Sequence, residues 1–351
     1  MSPGFGIYIH VPFCSRKCDY CAFATWSDRS DLVDEYLRAL GREITVAAGS
    51  QPAVQTVFIG GGSPSLVPPE ALMEVCASLR LAPGYEFTVE CNPEQVTEKH
   101  IQVYQDGGVN RISMGAQSLD PAVLRSLGRE HDPDQVARAS RFVRDSDIPA
   151  LNLDLIYGAA GEQLHQWEAT LRSALELSPD HISAYALTVE AGTPLADDPA
   201  RHPDDDDQAD KYVMADELLS GAGLANYEVS NWSRPGFESQ HNRLYWAQGN
   251  YRGFGCAAHS HDDGHRWWNV RTPERYIKAI REGSSPVAGS EDLDAETRRV
   301  EGLQLAVRTR EGVEAGVIPE EVRHLVEISQ GRARLTRQGR LLANEVAVRL
   351  E

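Results

Sequence analysis

Residues 5–21 read FGIYIHVPFCSRKCDYC, a short β-rich run, Phe5–Val11, that opens directly onto three cysteines, Cys14, Cys18 and Cys21. Thiolates are soft ligands, suited to iron–sulfur clusters and to zinc. Three of them at C-x3-C-x2-C can wrap one small metal centre without a long loop. A cubane cluster has four irons, so three thiolates leave one iron open to an amine and a carboxylate. A structural zinc site wants a fourth ligand, and the nearest other candidate, His10, precedes the loop. The pattern therefore favours a cluster over zinc. The other cysteines are scattered: Cys76 in a helix-like stretch, Cys91 at the end of a strand-like one, and Cys256. Cys76 and Cys91 read as buried filler.

Working outward from that strand, short apolar runs alternate with amphipathic stretches. Strands are expected at Phe5–Val11, Val54–Ile59, Glu86–Cys91, Asn110–Gly115, Ala150–Tyr157 and His181–Leu187. Helices are expected at Asp31–Ala48, Pro69–Leu79, Thr97–Asp106, Pro121–Leu127, Pro133–Asp145 and Glu162–Leu177. Mostly apolar strands alternating with helices argue for a parallel sheet with right-handed crossovers. Six such units fit an incomplete, TIM-like (β/α)6 barrel spanning 1–200. In such folds the working residues sit at the C-terminal ends of strands. The unusual residues lie there: the cysteines after the first strand, Gly60-Gly61-Gly62-Ser63-Pro64 after the second, Glu90 ending the third, Gln117 after the fourth and Asp154 late in the fifth.

Beyond residue 200 the alternation stops. An acidic run, Asp204–Asp207, reads as a solvated linker or a helix N-terminus rather than a metal site. The extension 201–272 holds Trp232, Trp246, Trp267 and Trp268, and 273–351 reads as a smaller, mainly helical or winged-helix-like domain. The formal charge is 34 − 52 = −18, which argues against a nucleic-acid surface. There is no apolar run long enough to span a bilayer and no secretory pattern at the N-terminus, so a cytoplasmic protein is expected.

The cluster motif Cys14-Ser15-Arg16-Lys17-Cys18-Asp19-Tyr20-Cys21 resembles that of the radical SAM superfamily. The resemblance narrows to the coproporphyrinogen III dehydrogenase-like group through Tyr8-Ile9-His10-Val11-Pro12-Phe13, Gly60–Leu66, Glu90-Cys91-Asn92-Pro93, Arg111–Ser118, Leu127-Gly128-Arg129 and Asp154-Leu155-Ile156-Tyr157-Gly158. It implies a [4Fe–4S] cluster on Cys14, Cys18 and Cys21 and S-adenosylmethionine (SAM) beside it. Gly61, Gly62 and Ser63 would meet the methionine amine, Glu90 and Asp154 the ribose hydroxyls. Gln117 and Arg129 would orient the methionine end, Arg129 through the carboxylate. Tyr20 would pack near the adenine or shield the cluster, and Tyr8 would approach SAM from the first strand.

The group divides on one cysteine. The dehydrogenases carry C-x3-C-x2-C-x-C, whereas Phe23 stands at that position here. The HemW-like haem chaperones lack it and carry H-N-x-x-Y-W, which His241-Asn242-Arg243-Leu244-Tyr245-Trp246 matches. An imidazole can ligate haem iron, and Tyr245 and Trp246 offer flat faces to a macrocycle. The resemblance thus implies a haem chaperone that delivers haem to haem proteins, membrane-associated ones included, and is compatible with a homodimer. The competing reading is an oxygen-independent coproporphyrinogen III oxidase. Of the histidines after Cys256, the resemblance reaches His259, while His261 and His265 read as loop residues.

Overall fold

The computed structural model describes residues 4–49 and 51–350. Six parallel strands lie in chain order: β1 (Phe5–Val11), β2 (Val54–Gly61), β3 (Leu81–Cys91), β4 (Arg111–Gln117), β5 (Ala150–Tyr157) and β6 (His181–Ala186). Between them run α1 (Val33–Ala48), α2 (Pro69–Cys76), α3 (Glu98–Asp106), α4 (Pro121–Ser126), α5 (Pro133–Arg144) and α6 (Leu164–Glu176). Their starts are chemically marked. Thr97, Asp120 and Asp132 accept hydrogen bonds from the first free amides of α3, α4 and α5, and proline opens α4 and α5.

The β-branched and aliphatic residues of these strands, Ile7, Ile9, Val57, Ile59, Val89, Ile112 and Leu153 among them, are buried under the helices. The alternate positions, Tyr8, His10, Glu90, Ser113 and Asp154, face the concave side. Period-2 alternation thus makes one face core and leaves the other for ligands. The open series of six βα units is the incomplete barrel that the sequence predicts.

The chain after residue 200 does not leave this sheet. Helix α7 (Asp205–Gly221) begins on the acidic run: Asp204 accepts from the Asp207 amide at 2.9 Å, and Asp207 pairs with the buried Lys211. Strands β7 (Ala225–Glu228) and β8 (Asn231–Ser233) extend the β6 edge. After α8 (Gln240–Trp246), strand β9 (Tyr251–Phe254) pairs parallel with β1. Strands β10 (His259–Asp262) and β11 (His265–Asn269) follow, then α9 (Pro273–Arg281) and β12 (Val287–Asp292). The result is a twelve-stranded sheet in the order β12-β11-β10-β9-β1-β2-β3-β4-β5-β6-β8-β7.

Two expectations shift accordingly. A boundary at 273 would cut through this sheet, because β12 pairs with β11; a separate body begins only at α10 (Ala295–Ala306). Segment 259–265 is a β-hairpin rather than a loop. The C-terminal body also contains β13 (Val313–Glu314), β14 (Val326–Ser329) and β15 (Arg332–Leu335) in an antiparallel sheet, then α11 (Arg337–Leu341) and α12 (Ala343–Ala347). It has its own core around Val307, Val322, Leu325 and Val346. Arg337 and Arg340 fasten it to Asp216 of α7 at 2.8 and 2.7 Å. No described helix is long and apolar enough to cross a membrane.

Candidate functional site

At the C-terminal ends of the strands, one cavity of about 570 Å³ gathers residues from seven separate segments, the last of them Tyr185–Glu190 at the end of β6. Cys14, Cys18, Tyr20 and Cys21 line it from the loop after β1, and Gly61, Gly62 and Ser63 from the end of β2. Glu90 and Asn92 enter from β3, Gln117 from the end of β4, Arg129 from the loop after α4, and Asp154 from β5. Of the residues singled out from sequence, only Tyr8 and His241 are not in its lining.

The cysteine loop is pinned at both ends. The Cys14 amide donates to Trp26 O at 3.1 Å, and the Trp26 amide donates to Pro12 O at 2.8 Å. Midway, the Leu195 amide donates to Asp19 O, and Arg201 pairs with the Asp19 carboxylate at 3.0 Å. His10 supports it from below, with Nε2 on Ala24 O at 3.0 Å and Nδ1 on the Tyr8 hydroxyl at 3.0 Å.

The donor set fits a cluster. Cys14, Cys18 and Cys21 are free and only partly buried, whereas Cys76, Cys91 and Cys256 are buried. Burial pushes the Cys76 and Cys256 thiols up to about 12, so those two stay protonated and inert. The buried Thr25 hydroxyl lies beside the Cys14 and Cys21 thiols and favours their thiolate forms. Among the described residues, no three His, Cys, Asp or Glu side chains sit close enough to hold a single metal ion. Three free cysteines lining one cavity can each take a separate iron of a cubane.

The glycines beneath the loop have a steric reason each. Gly61 has φ of +108°, and a Cβ there would lie 2.4 Å from the His10 ring. A Cβ on Gly62 would lie 2.5 Å from Phe13 O. The Gly62 and Ser63 amides already donate to Val11 O and Phe13 O. A ligand ammonium arriving here would therefore meet carbonyl and hydroxyl oxygens. Gln117 has φ of +61°, a strained value for a residue with a side chain, and it falls where the β4–β5 register slips.

The electrostatics single out the two carboxylates. Burial raises the Glu90 pKa to about 8, with the nearby Asp154 charge adding to the effect. Among the described residues the Gly61 amide, at 3.1 Å, is the one donor to Glu90. Burial raises Asp154 as well, against hydrogen bonds from Ser113 at 2.9 Å and Asn152 at 2.8 Å. Among the described residues neither forms an ion pair, although the Arg111 charge also acts on Asp154, so both have acceptor capacity for ligand hydroxyls. Arg129 reaches Cys18 Sγ at 3.5 Å and Asn92 Oδ1 at 3.0 Å, and its Nε donates to His131 Nδ1 at 3.4 Å. Burial pushes His131 down to about 4, so its neutral ring accepts from Arg129 while Nε2–H donates to Ala116 O.

Sequence reasoning gave no role to Thr25, Asn92 or His131, and weighed His10 only as a fourth zinc ligand. Asn92 bonds both Ser63, at 2.7 Å, and Arg129. Its signal was there: it is two residues beyond Glu90, on the same face of the strand.

The opposite end of the barrel is built differently. Helix α8, carrying the H-N-x-x-Y-W motif, plugs the N-terminal ends of the strands. Glu86 of β3 accepts from the Gln240 and His241 amides, both at 3.0 Å, and Arg111 of β4 donates to Phe237 O. His241 is buried, with Nδ1 on Thr56 Oγ1 at 2.8 Å and Nε2 on the Tyr245 hydroxyl at 2.9 Å. Burial pushes its pKa down to about 3. His241, expected as a haem ligand, has both ring nitrogens bonded inside the protein here, and it would meet an iron by exchanging one of those bonds.

The chain is similar to known proteins over nearly its whole length. The radical SAM superfamily pattern matches residues 8–174. "Heme chaperone HemW" of Mycobacterium tuberculosis (strain H37Rv) is 39% identical across 97% of this chain and 93% of its own length. "Heme chaperone HemW" of Bacillus subtilis (strain 168) is 33% identical across 97% of each. Among solved structures, coproporphyrinogen III oxidase (HemN) from Escherichia coli, described as a radical SAM enzyme, covers 99% of this chain and 90% of its own with a TM-score of 0.87. At 20% identity that likeness speaks to the fold alone.

Proposed function

The chain belongs to the radical SAM superfamily and, within it, to the HemW-like group, and from that premise we propose that it is a haem chaperone, binding haem and delivering it to haem proteins. The observation that carries this reading is near-complete coverage, at 39% and 33% identity, by relatives named as haem chaperones. The residue at the dehydrogenase-specific cysteine position supports it: Phe23 is 67% exposed on the cluster loop and supplies no ligand.

Membership implies a [4Fe–4S] cluster and SAM. In this reading Cys14, Cys18 and Cys21 hold the cluster, which would supply an open iron to chelate SAM. Gly61, Gly62 and Ser63 receive the methionine amine on their oxygens. Arg129, kept in place by Asn92 and the neutral His131, faces the methionine carboxylate. Glu90 and Asp154 accept from the ribose hydroxyls, Gln117 orients the methionine end, and Tyr20 walls the adenine side. Tyr8 acts through His10, whose other nitrogen holds the cluster loop at Ala24. Haem-accepting proteins, membrane-associated ones among them, are the partners of this reading, in the cytoplasm, and a homodimer is compatible with it.

Anaerobically reconstituted protein should bind haem and pass it to an apo-haemoprotein. With coproporphyrinogen III and a one-electron reductant it should give no vinyl product. Stoichiometric 5′-deoxyadenosine with a vinyl porphyrinogen would establish the oxidase instead.

A further inference from the structure

The two ends of the barrel are joined through its interior. Asp154 at the rim accepts from Asn152 Nδ2 at 2.8 Å and from the Ser113 hydroxyl at 2.9 Å. With its amide nitrogen turned to Asp154, Asn152 leaves Oδ1 to accept from His181 Nδ1–H at 2.6 Å. Burial keeps the His181 ring neutral, and its Nε2 accepts from the Tyr227 hydroxyl at 2.8 Å. The Tyr227 oxygen in turn accepts from the Ser239 amide at 3.3 Å. Ser239 is the N-cap of α8, its hydroxyl accepting from the Asn242 amide at 3.2 Å. From Ser239 to Asp154 every link donates in the same direction, toward the carboxylate.

Asn152, His181 and Tyr227 are buried, so each link that breaks leaves a buried polar group unsatisfied. Arg111 stands beside the same line: it donates to Phe237 O just before α8, and its charge favours the ionised form of Asp154. Helix α8 itself is seven residues long and buries only His241 and Leu244. An element with so little buried apolar surface opens locally at a lower free energy than the sheet. Lifting it would take Ser239 from Tyr227 and release the chain of donors that orients the Asp154 carboxylate.

We propose that this line of hydrogen bonds couples α8 to the rim, so that SAM held at Asp154 keeps α8 seated and His241 closed. His181 and Tyr227 are its positioning residues: neither lines the rim cavity, and each acts on Asp154 through the next. Linkage sets the sign. A lifted α8 leaves Asp154 without its preset orientation, so SAM binds that state more weakly and its presence disfavours lifting. By reciprocity, whatever draws α8 away from the barrel loosens SAM. This coupling rests on the reading of the rim as a SAM site and adds regulation to it.

The test is amide hydrogen exchange of the anaerobically reconstituted full-length chain, with and without saturating SAM. In the wild type, SAM should slow exchange in α8 by at least about fivefold and leave α12 of the C-terminal body unchanged. Tyr227→Phe keeps the ring and removes only the hydroxyl between His181 and Ser239. It should still bind SAM, while the slowing in α8 falls below about twofold. Tyr212→Phe, which loses a hydroxyl bonded to Arg340 off this line, should respond as the wild type does. Wild-type α8 exchange that SAM leaves unchanged or speeds overturns the coupling, as does a full response in Tyr227→Phe or a lost one in Tyr212→Phe. A slowing shared equally by α12 is general stabilisation and overturns it too. Should Tyr227→Phe not fold, the wild-type comparison decides by itself. SAM binding is read separately, from the electron paramagnetic resonance signal of the cluster; a chain that binds no SAM overturns the rim reading and the coupling together.

Discussion

The two ends of the barrel use the same kinds of residue to opposite effect. At the N-terminal end, Glu86, Arg111 and His241 are buried and their hydrogen bonds close on one another and on α8. At the C-terminal rim, Glu90 and Asp154 are held above their ordinary pKa, and three free cysteines line one cavity. Buried polar groups cost stability unless they are satisfied. Satisfied ones therefore mark architecture, and groups left wanting mark where a ligand completes the structure. By that criterion the H-N-x-x-Y-W helix is a plug and the cysteine rim is a site.

The largest expected effect breaks the rim. Replacing Cys14, Cys18 and Cys21 by alanine should reduce iron from about four per reconstituted chain to background, measured by metal analysis, with the helical circular-dichroism spectrum unchanged. Retention of iron would mean that the ligands lie elsewhere.

Next comes the plug. Glu86→Ala strips the acceptor from the Gln240 and His241 amides and leaves Arg111 buried beside no carboxylate. A loss of about 3–5 kcal/mol in urea unfolding is expected, with iron binding retained in whatever fraction folds. A loss under about 1 kcal/mol would erase the contrast between the two ends.

The third is a difference in pH dependence. Glu90 has a folded-state pKa near 8 against an ordinary 4.5, so the folded apo chain binds more protons than the unfolded chain between those values. Its contribution to stability is full below 4.5 and is lost as pH rises through 8. Glu90→Gln does not titrate, so the variant should gain on wild type across that window, by about 1 kcal/mol or more at the top. The same variant should bind SAM more weakly, since one amide oxygen replaces two carboxylate acceptors. A constant stability difference from pH 4.5 to 8 would contradict the assignment.

The smallest effect is a control on the rim surface. Arg16→Ala removes an ion pair with Glu130 in which both side chains are more than half exposed. It should shift unfolding by under about 0.5 kcal/mol.

The fold was legible because its strands are apolar on one face and bounded by turns. Phe5–Val11 and Ala150–Tyr157 are strands with the predicted ends, and the other four agree to within a few residues except that β3 begins at Leu81. Most of the rim was legible because its residues fall at or just after strand ends; Arg129, between α4 and α5, was legible only through the family resemblance. The extension was not. Strands β7 to β12 are three to six residues long, too short for a periodicity, and their pairing with β6 and β1 is long-range. The partners of His241 were hidden for a related reason: a residue type shows that a nitrogen can ligate, while only packing shows that Thr56 and Tyr245 bond it. His259, within the stretch that resembles the family, looked like part of a loop until strand pairing set it beside Trp268.

The most direct test of the open-iron rim is the electron paramagnetic resonance spectrum of the reduced, reconstituted protein, recorded before and after adding SAM. If three thiolates leave one iron for the SAM amine and carboxylate, the cluster signal should shift on addition, and Arg129→Ala should weaken that shift. A signal indifferent to SAM, with the cluster present at about four irons per chain, would mean that the fourth iron is closed and would contradict the account.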